Sequence, residues 1–285
     1  MARLTEAEVE KIIHVIPVEV EVDKAVRPFQ DPNGFKANRI YLLGTTDEHS
    51  FKGERGWLVP HCLRKVGERL EALDIDVVTV ETYIWDLQDV MRKVSHIVLE
   101  ERSRGNIVYV NMSAGGPFVS VASALSAMVQ DARLYYVRCA RYSETLEEKL
   151  EHGNAVCDKY EVQFLENFRI ITPDKRALTV LVELYTRGSM STSDLLTVLH
   201  DRGVEGFEED HRFLSRGDKI SLLMRLNKGI TGKLEKVGYI KKKKRGRENV
   251  YRITESGKYV ACISGLLGSD NSPCDLTTNM RSTQP

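Results

Sequence analysis

Short apolar runs alternate with stretches of helical spacing over the first half of the chain. Five runs of five to seven residues are rich in Ile, Val and Tyr, and they are apolar almost throughout, which is typical of strands buried on both faces. They are residues 12–18, 39–43, 76–80, 106–112 and 134–138. Helical spacing of apolar residues is found between them, at 58–73, 85–104 and 119–130. This alternation predicts an α/β fold, a Rossmann-like, doubly wound and mostly parallel sheet.

The pattern then indicates a short charged helix and one more strand before the chain changes character. We predict the helix at 143–153 with Ser143 as its N-cap, and the strand within 160–171. Proline suits the first position of a helix, so Pro173 marks a boundary between two domains. The first domain is therefore predicted to cover residues 1–168.

Beyond Pro173 the chain is helical and ends in two short strands. Helices are predicted at 174–186, 191–199 and 218–237, and strands at 238–240 and 250–254. Three helices followed by a two-stranded wing are the order of a winged helix-turn-helix domain, whose third helix normally enters the major groove of DNA. We place this second domain at residues 172–265. Residues 269–285 are polar and without periodicity, and we expect a disordered tail there.

Charge is distributed unevenly along the chain. The 41 Lys and Arg residues balance the 41 Asp and Glu residues. Between residues 228 and 252, however, ten Lys or Arg stand against only two acids. Such segregation indicates local phosphate binding and predicts double-stranded DNA as a partner. A solvated lysine loop, or a contact with another protein through the same domain, is the alternative.

The predicted DNA-contacting residues come from the third helix and from the wing tip. With Leu222 and Leu226 toward the core, the opposite stripe of the helix carries side chains that hydrogen-bond to bases and phosphates. These are Ser221, Arg225, Lys228 and Thr231. The wing tip is predicted to contact phosphates through Lys241, Lys242, Lys243, Lys244, Arg245 and Arg247. Gly229 and Gly232 indicate a break in the helix, since each costs about 1 kcal/mol relative to alanine.

A second candidate site follows the strand at 106–112, where a turn of small residues leads directly into a helix. Ligands of open α/β sheets bind beyond the carboxyl ends of the strands, and helix N-terminal amides favour anions. The predicted ligand-binding residues of this turn are Asn111, Ser113, Ala114, Gly115, Gly116 and Pro117. A plain strand-to-helix turn is the alternative. The turn has neither the G-x-G-x-x-G spacing nor a Walker lysine, so a dinucleotide cofactor or a nucleoside triphosphatase is unsupported.

The end of the first strand supplies a second polar rim. Its predicted ligand-binding residues are Val18, Glu19, Lys24 and Arg27. Only Lys24 and Arg27 would attract a phosphate, because the other polar side chains of this rim are acidic.

Three segments, together with the winged helix, resemble a known family. They are the strand and turn at 107–116, the opening at 14–28 and the strand at 39–43. Over residues 10–260 the chain resembles archaeal CARF-domain transcription regulators, in which CARF denotes the CRISPR-associated Rossmann fold. The resemblance implies a homodimer whose first domains together hold a cyclic oligoadenylate, such as cyclic tetra-adenylate. Residues 18–23 and 111–117 would supply the contacts.

The function expected from this resemblance is that of a ligand-responsive DNA-binding regulator. Two alternatives stay open, a regulator that responds to another small metabolite and a ring nuclease that cleaves the cyclic ligand. No catalytic motif is present, and Ser113 and Lys24 are the only groups to test for cleavage.

The remaining observations argue against a membrane, a metal and a cofactor. No apolar run reaches the roughly 18 residues of a membrane span, and no signal-peptide pattern opens the chain, so we expect a cytoplasmic protein. The seven histidines are dispersed, and the five cysteines form no C-x-x-C pair. We therefore expect reduced thiols and neither a zinc site nor a disulfide.

Overall fold

The computed structural model describes residues 10–47, 53–167, 170–246 and 248–268. The chain divides into two compact units, the first ending at Ile170 and the second beginning at Ile171. The predicted tail at 269–285 and the predicted phosphate contact Arg247 lie outside these ranges. No helix within them is both long enough and apolar enough to cross a membrane.

A six-stranded sheet forms the centre of the first unit, in the order β3-β2-β1-β4-β5-β6. The strands are β1 (Ile12–Pro17), β2 (Arg39–Gly44), β3 (Asp76–Glu81), β4 (Ile107–Asn111), β5 (Arg133–Tyr142) and β6 (Ala155–Leu165). The first five run parallel, and β6 is antiparallel to β5. In β1 and β4, at the middle of the sheet, most side chains are buried whichever way they point. The predicted Rossmann-like, mostly parallel sheet is confirmed.

Five helices accompany this sheet among the described residues. They are α1 (Asp23–Gln30), α2 (Glu54–Glu71), α3 (Leu87–Ser103), α4 (Pro117–Val129) and α5 (Leu146–His152). The sequence pattern did not predict α1, which has only eight residues and contains Pro28. The predicted N-cap of α5 is wrong: the Thr145 hydroxyl accepts from the Glu148 amide, while Ser143 donates to the Gly153 carbonyl.

The antiparallel pair of β5 and β6 differs from the prediction in two ways. The last strand covers Ala155–Leu165, earlier than the predicted 160–171. A disulfide joins Cys139 on β5 to Cys157 on β6, with the two Cα atoms 4.7 Å apart. The expectation of reduced thiols is therefore wrong for these two cysteines. Their pairing depends on the register of two strands, which the spacing of cysteines along the chain does not disclose.

An aromatic cluster surrounds His14, a polar residue on the central strand. The imidazole is 1% exposed and stacks on the Tyr109 ring, with the two ring centroids 4.9 Å apart. Its Nδ1 atom lies 3.3 Å from the Tyr135 hydroxyl. Because burial penalises the charged imidazolium, the pKa of His14 is lowered to about 3. His14 is therefore a neutral core residue at physiological pH.

The second unit consists of helices and a small sheet. Its elements are α6 (Lys175–Arg187), β7 (Ser189–Ser191), α7 (Thr192–Asp201), α8 (Arg216–Leu226), a π-helical turn (Asn227–Thr231), α9 (Gly232–Lys236), β8 (Ile240–Arg245), β9 (Glu248–Ile253) and α10 (Glu255–Ile263). The sheet has the order β7-β9-β8, and the hairpin of β8 and β9 is the wing. The predicted winged helix domain is confirmed.

The predicted break in the third helix is a π-helical turn. A Cβ atom at Gly232 would lie 2.5 Å from the Asn227 carbonyl oxygen, so only glycine fits the wider turn. Gly229, by contrast, has open space around its Cα atom. The helix axis therefore continues from α8 into α9 with one irregular turn.

Candidate ligand cavity and nucleic-acid interface

The strand order of the first unit reverses between β1 and β4, and open α/β sheets bind ligands at such a switch point. The segments that follow these two strands meet there, with the Glu19 amide donating to the Ala114 carbonyl over 3.0 Å. A cavity of about 750 Å³ opens at this edge of the sheet. Its lining residues come from the segment between β1 and α1, the start of α1, the turn after β4, the first turns of α2 and α4, and the region from β5 through α5 to β6.

Both glycines of the turn after β4 lie close to a side chain, and at Gly115 a larger residue would force Val119 to shift. A Cβ atom added to Gly115 would lie 2.3 Å from a methyl carbon of Val119. A Cβ atom added to Gly116 would lie 2.3 Å from Oε2 of Glu19. The Glu19 carboxylate therefore lies against the N-terminal end of α4. That end carries the partial positive charge of the helix and is where an anionic ligand group would otherwise bind.

Asn111 and Ser113 fix the shape of this turn. The Asn111 Oδ1 atom accepts from both the amide and the hydroxyl of Ser113, each over 2.7 Å. The Ser113 hydroxyl also accepts from the Val137 amide, over 3.0 Å. Since its proton goes to an amide oxygen, which is not a base, this hydroxyl is held as a structural link between β4 and β5.

The cavity lining is acidic. It contains the carboxylates of Glu19, Glu21, Glu54 and Glu144, but the ammonium groups of only Lys24 and Lys149. Lys24 donates to Glu21 over 2.8 Å, and Lys149 to Glu54 over 3.0 Å. Burial raises the pKa of Glu21 above its ordinary value, although the Lys24 ammonium acts in the opposite direction. Both lysines are thus already paired.

One wall of the cavity comes from a part of the chain that the sequence did not connect with the site. It includes Tyr142, Thr145 and Leu146, and the side chains of Tyr142 and Leu146 are exposed at the rim. Backbone bonds clamp this wall to the segment after β1, from the Asn154 amide to the Val20 carbonyl and from the Val22 amide to the His152 carbonyl. A separation of about 130 residues left no local signal for this contact.

A buried carboxylate holds this clamp in place. Asp23, at the start of α1, is 0% exposed and accepts from the Cys157 amide over 3.0 Å. Nδ1 of His152 lies 3.1 Å from the same carboxylate. The guanidinium groups of Arg27 and Arg69 approach it to 3.5 and 3.7 Å. Asp23 therefore ties α1 to α2, to the end of α5 and to β6.

Six of the predicted ligand-binding residues line the cavity, and four do not. Those in the lining are Glu19, Lys24, Ser113, Gly115, Gly116 and Pro117. The prediction is corrected for Val18 and Ala114, which are 0% exposed, and for Asn111, which is buried beneath the turn. Arg27 pairs with Asp23 instead of facing the cavity.

The predicted DNA-contacting stripe of the third helix is also altered by the structure. Ser221 and Lys228 are exposed, as predicted. Thr231 is 1% exposed and its hydroxyl lies 3.3 Å from Oδ1 of Asn227, because the π-helical turn rotates it inward. The Arg225 guanidinium donates to the Gly206 carbonyl, so it is engaged within the domain. Ile220 and Met224 also lie on the outward side of the helix and are 51% and 49% exposed.

The basic residues of the wing lie on two different faces of the hairpin. Cross-strand pairing places Lys241 opposite Arg252, and Arg245 opposite Glu248. Side chains alternate along a strand, so Lys241, Lys243 and Arg245 share one face.

The other face of the wing carries Lys242 and Lys244, together with the buried side chains of Ile240 and Tyr251. Lys242 pairs with Glu235 of α9 over 3.2 Å.

Among the described residues, no group of three or more His, Cys, Asp or Glu side chains lies close enough together to hold a metal ion.

Each unit matches a protein-family model. Residues 12–142 match the family described as "HFX_2341_N:-like, N-terminal". Residues 175–265 match the DUF6293 C-terminal winged helix domain. The first unit is therefore similar to one family of N-terminal domains and the second to a family of winged helix domains, and the predicted order of a Rossmann-like domain and a winged helix domain is confirmed. No curated protein matches the chain.

Three solved structures similar to this chain are distant from it in sequence. Can2 from Sulfobacillus thermosulfidooxidans, in complex with cyclic tetra-adenylate, is 13% identical, and the alignment covers 87% of this chain and 61% of Can2 with a TM-score of 0.37. Csm6 from Enterococcus italicus, bound to cyclic hexa-2'-fluoro-hexa-dAMP, is 13% identical, with 78% and 55% covered and a TM-score of 0.36. Protein VC1899 from Vibrio cholerae is 14% identical, with 88% and 64% covered and a TM-score of 0.36. The chain thus spans less than two thirds of the length of each.

Proposed function

We propose that this chain is a ligand-responsive DNA-binding transcription regulator that acts as a homodimer. A small molecule in the cavity of the first unit changes the affinity of the winged helix for double-stranded DNA by shifting a conformational equilibrium. The observation that carries the proposal is the row of Lys241, Lys243 and Arg245 on the outward face of the wing of a winged helix domain. Phe118 and Val121, which are exposed on α4 beside the cavity, support a dimer contact there.

The wing contributes affinity through phosphate neutralisation. Each cation that neutralises a phosphate of duplex DNA releases a counterion and adds about 0.9 to the slope of log K against log salt. The three cations of β8 on the outward face therefore account for a slope of roughly 2.7. The two lysines on the opposite face contribute less, because that face is directed toward the domain and Lys242 is paired with Glu235.

Two double variants test this assignment with the same change in net charge. Fluorescence anisotropy with a labelled duplex would give the affinity of the full chain from about 50 to about 200 mM salt. We expect Lys241→Ala with Lys243→Ala to lower the slope by about 1.8, because two phosphate contacts are lost. The matched control, Lys242→Ala with Lys244→Ala, should lower it much less. Equal slopes for the two double variants would contradict the assignment of the outward face.

A cyclic oligoadenylate is the first candidate for the ligand. The position of the cavity at the switch point of the sheet supports it, as does the resemblance of the residues after β1 and β4. Tyr136 and Tyr142 in the lining offer aromatic faces on which adenine bases would stack. Cleavage of such a ligand has less support, because Ser113 and Lys24 are both engaged in internal hydrogen bonds.

A small metabolite without negative charge is the second candidate. The observation that favours it is the acidic lining, in which both lysines are paired with glutamates. Four carboxylates would repel the phosphates of a cyclic nucleotide unless the ligand displaces or protonates some of them.

Incubation of the full chain with cyclic tetra-adenylate separates these candidates. A raised melting temperature with intact ligand recovered afterwards is the result expected for a nucleotide sensor. Linear product would instead indicate a ring nuclease. An unchanged melting temperature would remove cyclic tetra-adenylate and favour the metabolite. Glu19→Gln provides a check on charge, because it should strengthen the binding of an anionic ligand and leave that of an uncharged one nearly unchanged.

A further inference from the structure

The outward stripe of the third helix is apolar over two successive turns. Ile220 and Met224 are four residues apart on α8, and about half of each side chain is exposed. They lie on the side of the helix opposite Leu222 and Leu226, which are buried. The solvent-facing side of an amphipathic helix is normally polar, so two large apolar side chains in register indicate a contact surface.

Basic residues flank this apolar pair along the helix. Arg216 begins α8, and Lys228 follows its last turn, and both are exposed. The acid within this stretch, Asp218, is held by the helix N-cap, where the Ser215 hydroxyl donates to its carboxylate over 2.6 Å. An apolar centre between cations is complementary to a DNA groove, where the base edges, among them the apolar methyl groups of thymines, lie between two rows of phosphates.

One of the polar residues that the sequence assigned to DNA contact, Arg225, is engaged elsewhere. The Arg225 guanidinium donates to the carbonyl of Gly206, in the loop between α7 and α8. Gly206 has a φ of 86°, and its amide donates to the Glu208 carboxylate over 2.8 Å, so the loop is itself held in place. Of the side chains predicted to contact DNA, Ser221 and Lys228 are left on this helix to hydrogen-bond with a base.

We propose that Ile220 and Met224 are specificity-determining residues that contact the C5-methyl groups of thymines in the major groove. The thymine methyl is the apolar group that base edges present in that groove. This inference rests on the proposed DNA-binding function and adds the kind of sequence that the helix recognises. Sites bound by the chain should therefore contain thymines at the positions that face α8.

Replacement of thymine by uracil is the matched test, because it removes the methyl group and leaves base pairing intact. A preferred site would first be selected from random duplexes with the full chain, and then prepared with thymine or with deoxyuracil. We expect the uracil duplex to bind the wild-type chain about fourfold more weakly for each methyl contacted. The variant Ile220→Ala with Met224→Ala should bind the two duplexes equally. The conservative variant Ile220→Val with Met224→Leu should retain a preference for thymine, which excludes misfolding as the cause.

The outcomes distinguish this inference from the function on which it rests. Equal affinity of the wild-type chain for both duplexes, with normal salt dependence, would overturn the inference and leave DNA binding intact. A preference for thymine that persists in the double alanine variant would also overturn it, because other residues would then contact the methyls. A double alanine variant that changes its oligomeric state but keeps its preference would make the stripe a protein contact. Failure to bind any duplex would overturn both proposals.

Discussion

The buried carboxylate of Asp23 should control the stability of the first unit. In Asp23→Asn the side chain keeps its size but loses its charge, at a site that is 0% exposed. The charge-assisted bond from the Cys157 amide is worth about 1.5–3 kcal/mol. The contact with His152 and the long ion pairs with two partly exposed arginines together add roughly 0.5 kcal/mol or more. We therefore expect a loss of about 2–4 kcal/mol.

Urea denaturation followed by tryptophan fluorescence would measure this loss. The chain has two tryptophans, Trp57 and Trp85, and both lie in the first unit, so their emission reports on that unit. Asp131→Asn is the matched control. Asp131 has a φ of 53°, which asparagine tolerates, and its ion pair with Arg102 is exposed, so the change should cost less than about 0.5 kcal/mol. A free energy of unfolding for Asp23→Asn as close to wild type as that of the control would refute the anchoring role.

Three further predictions concern stability. Cys139 and Cys157, 18 residues apart, are joined by a disulfide, and its reduction should lower the free energy of unfolding of the first unit by about 3 kcal/mol. If both cysteines of the unreduced protein reacted in a thiol count, the disulfide itself would be contradicted. Because the pKa of His14 is lowered, the unfolded chain takes up a proton below about pH 6.5 and the folded chain does not. The free energy of unfolding, measured by urea denaturation, should therefore fall by about 2 kcal/mol between pH 7 and pH 5. This loss should be absent in His14→Leu. Gly232→Ala should destabilise the winged helix domain by about 1–3 kcal/mol, since its Cβ atom would clash with the backbone. Gly229→Ala should instead stabilise the domain by up to about 1 kcal/mol. Equal changes of the melting temperature in the two variants, measured by circular dichroism, would contradict this prediction.

The sheet of the first unit could be predicted because its central strands carry their own signal. Runs such as 39–43 and 107–111 are apolar on both faces, and this pattern depends on nothing distant in the chain. Helix α1 could not be predicted in the same way. It is short, contains Pro28 and begins with charged residues whose partners, such as His152, come from the far end of the domain.

The candidate cavity was predicted only in part, because one side of it has a local signal in the sequence and the other depends on distant contacts. The turn at Ser113–Pro117 is recognisable from its small residues and its position after a strand, and it does line the cavity. The opposite wall depends on the backbone bonds that join the segment after β1 to His152 and Asn154, which are contacts between distant parts of the chain. The sequence predicted an exposed side chain at Thr231, which is buried. The π-helical turn shifts the side chains that follow it around the helix axis, and a regular helical period does not include such a shift.

The affinity of the full chain for duplex DNA across a salt series is the most direct test of the proposed regulator. The wing and the third helix predict binding at about 50 mM salt that weakens with rising salt, with a log–log slope of roughly 3 or steeper. Absence of binding at low salt, or an affinity that does not depend on salt, would contradict DNA recognition by this domain.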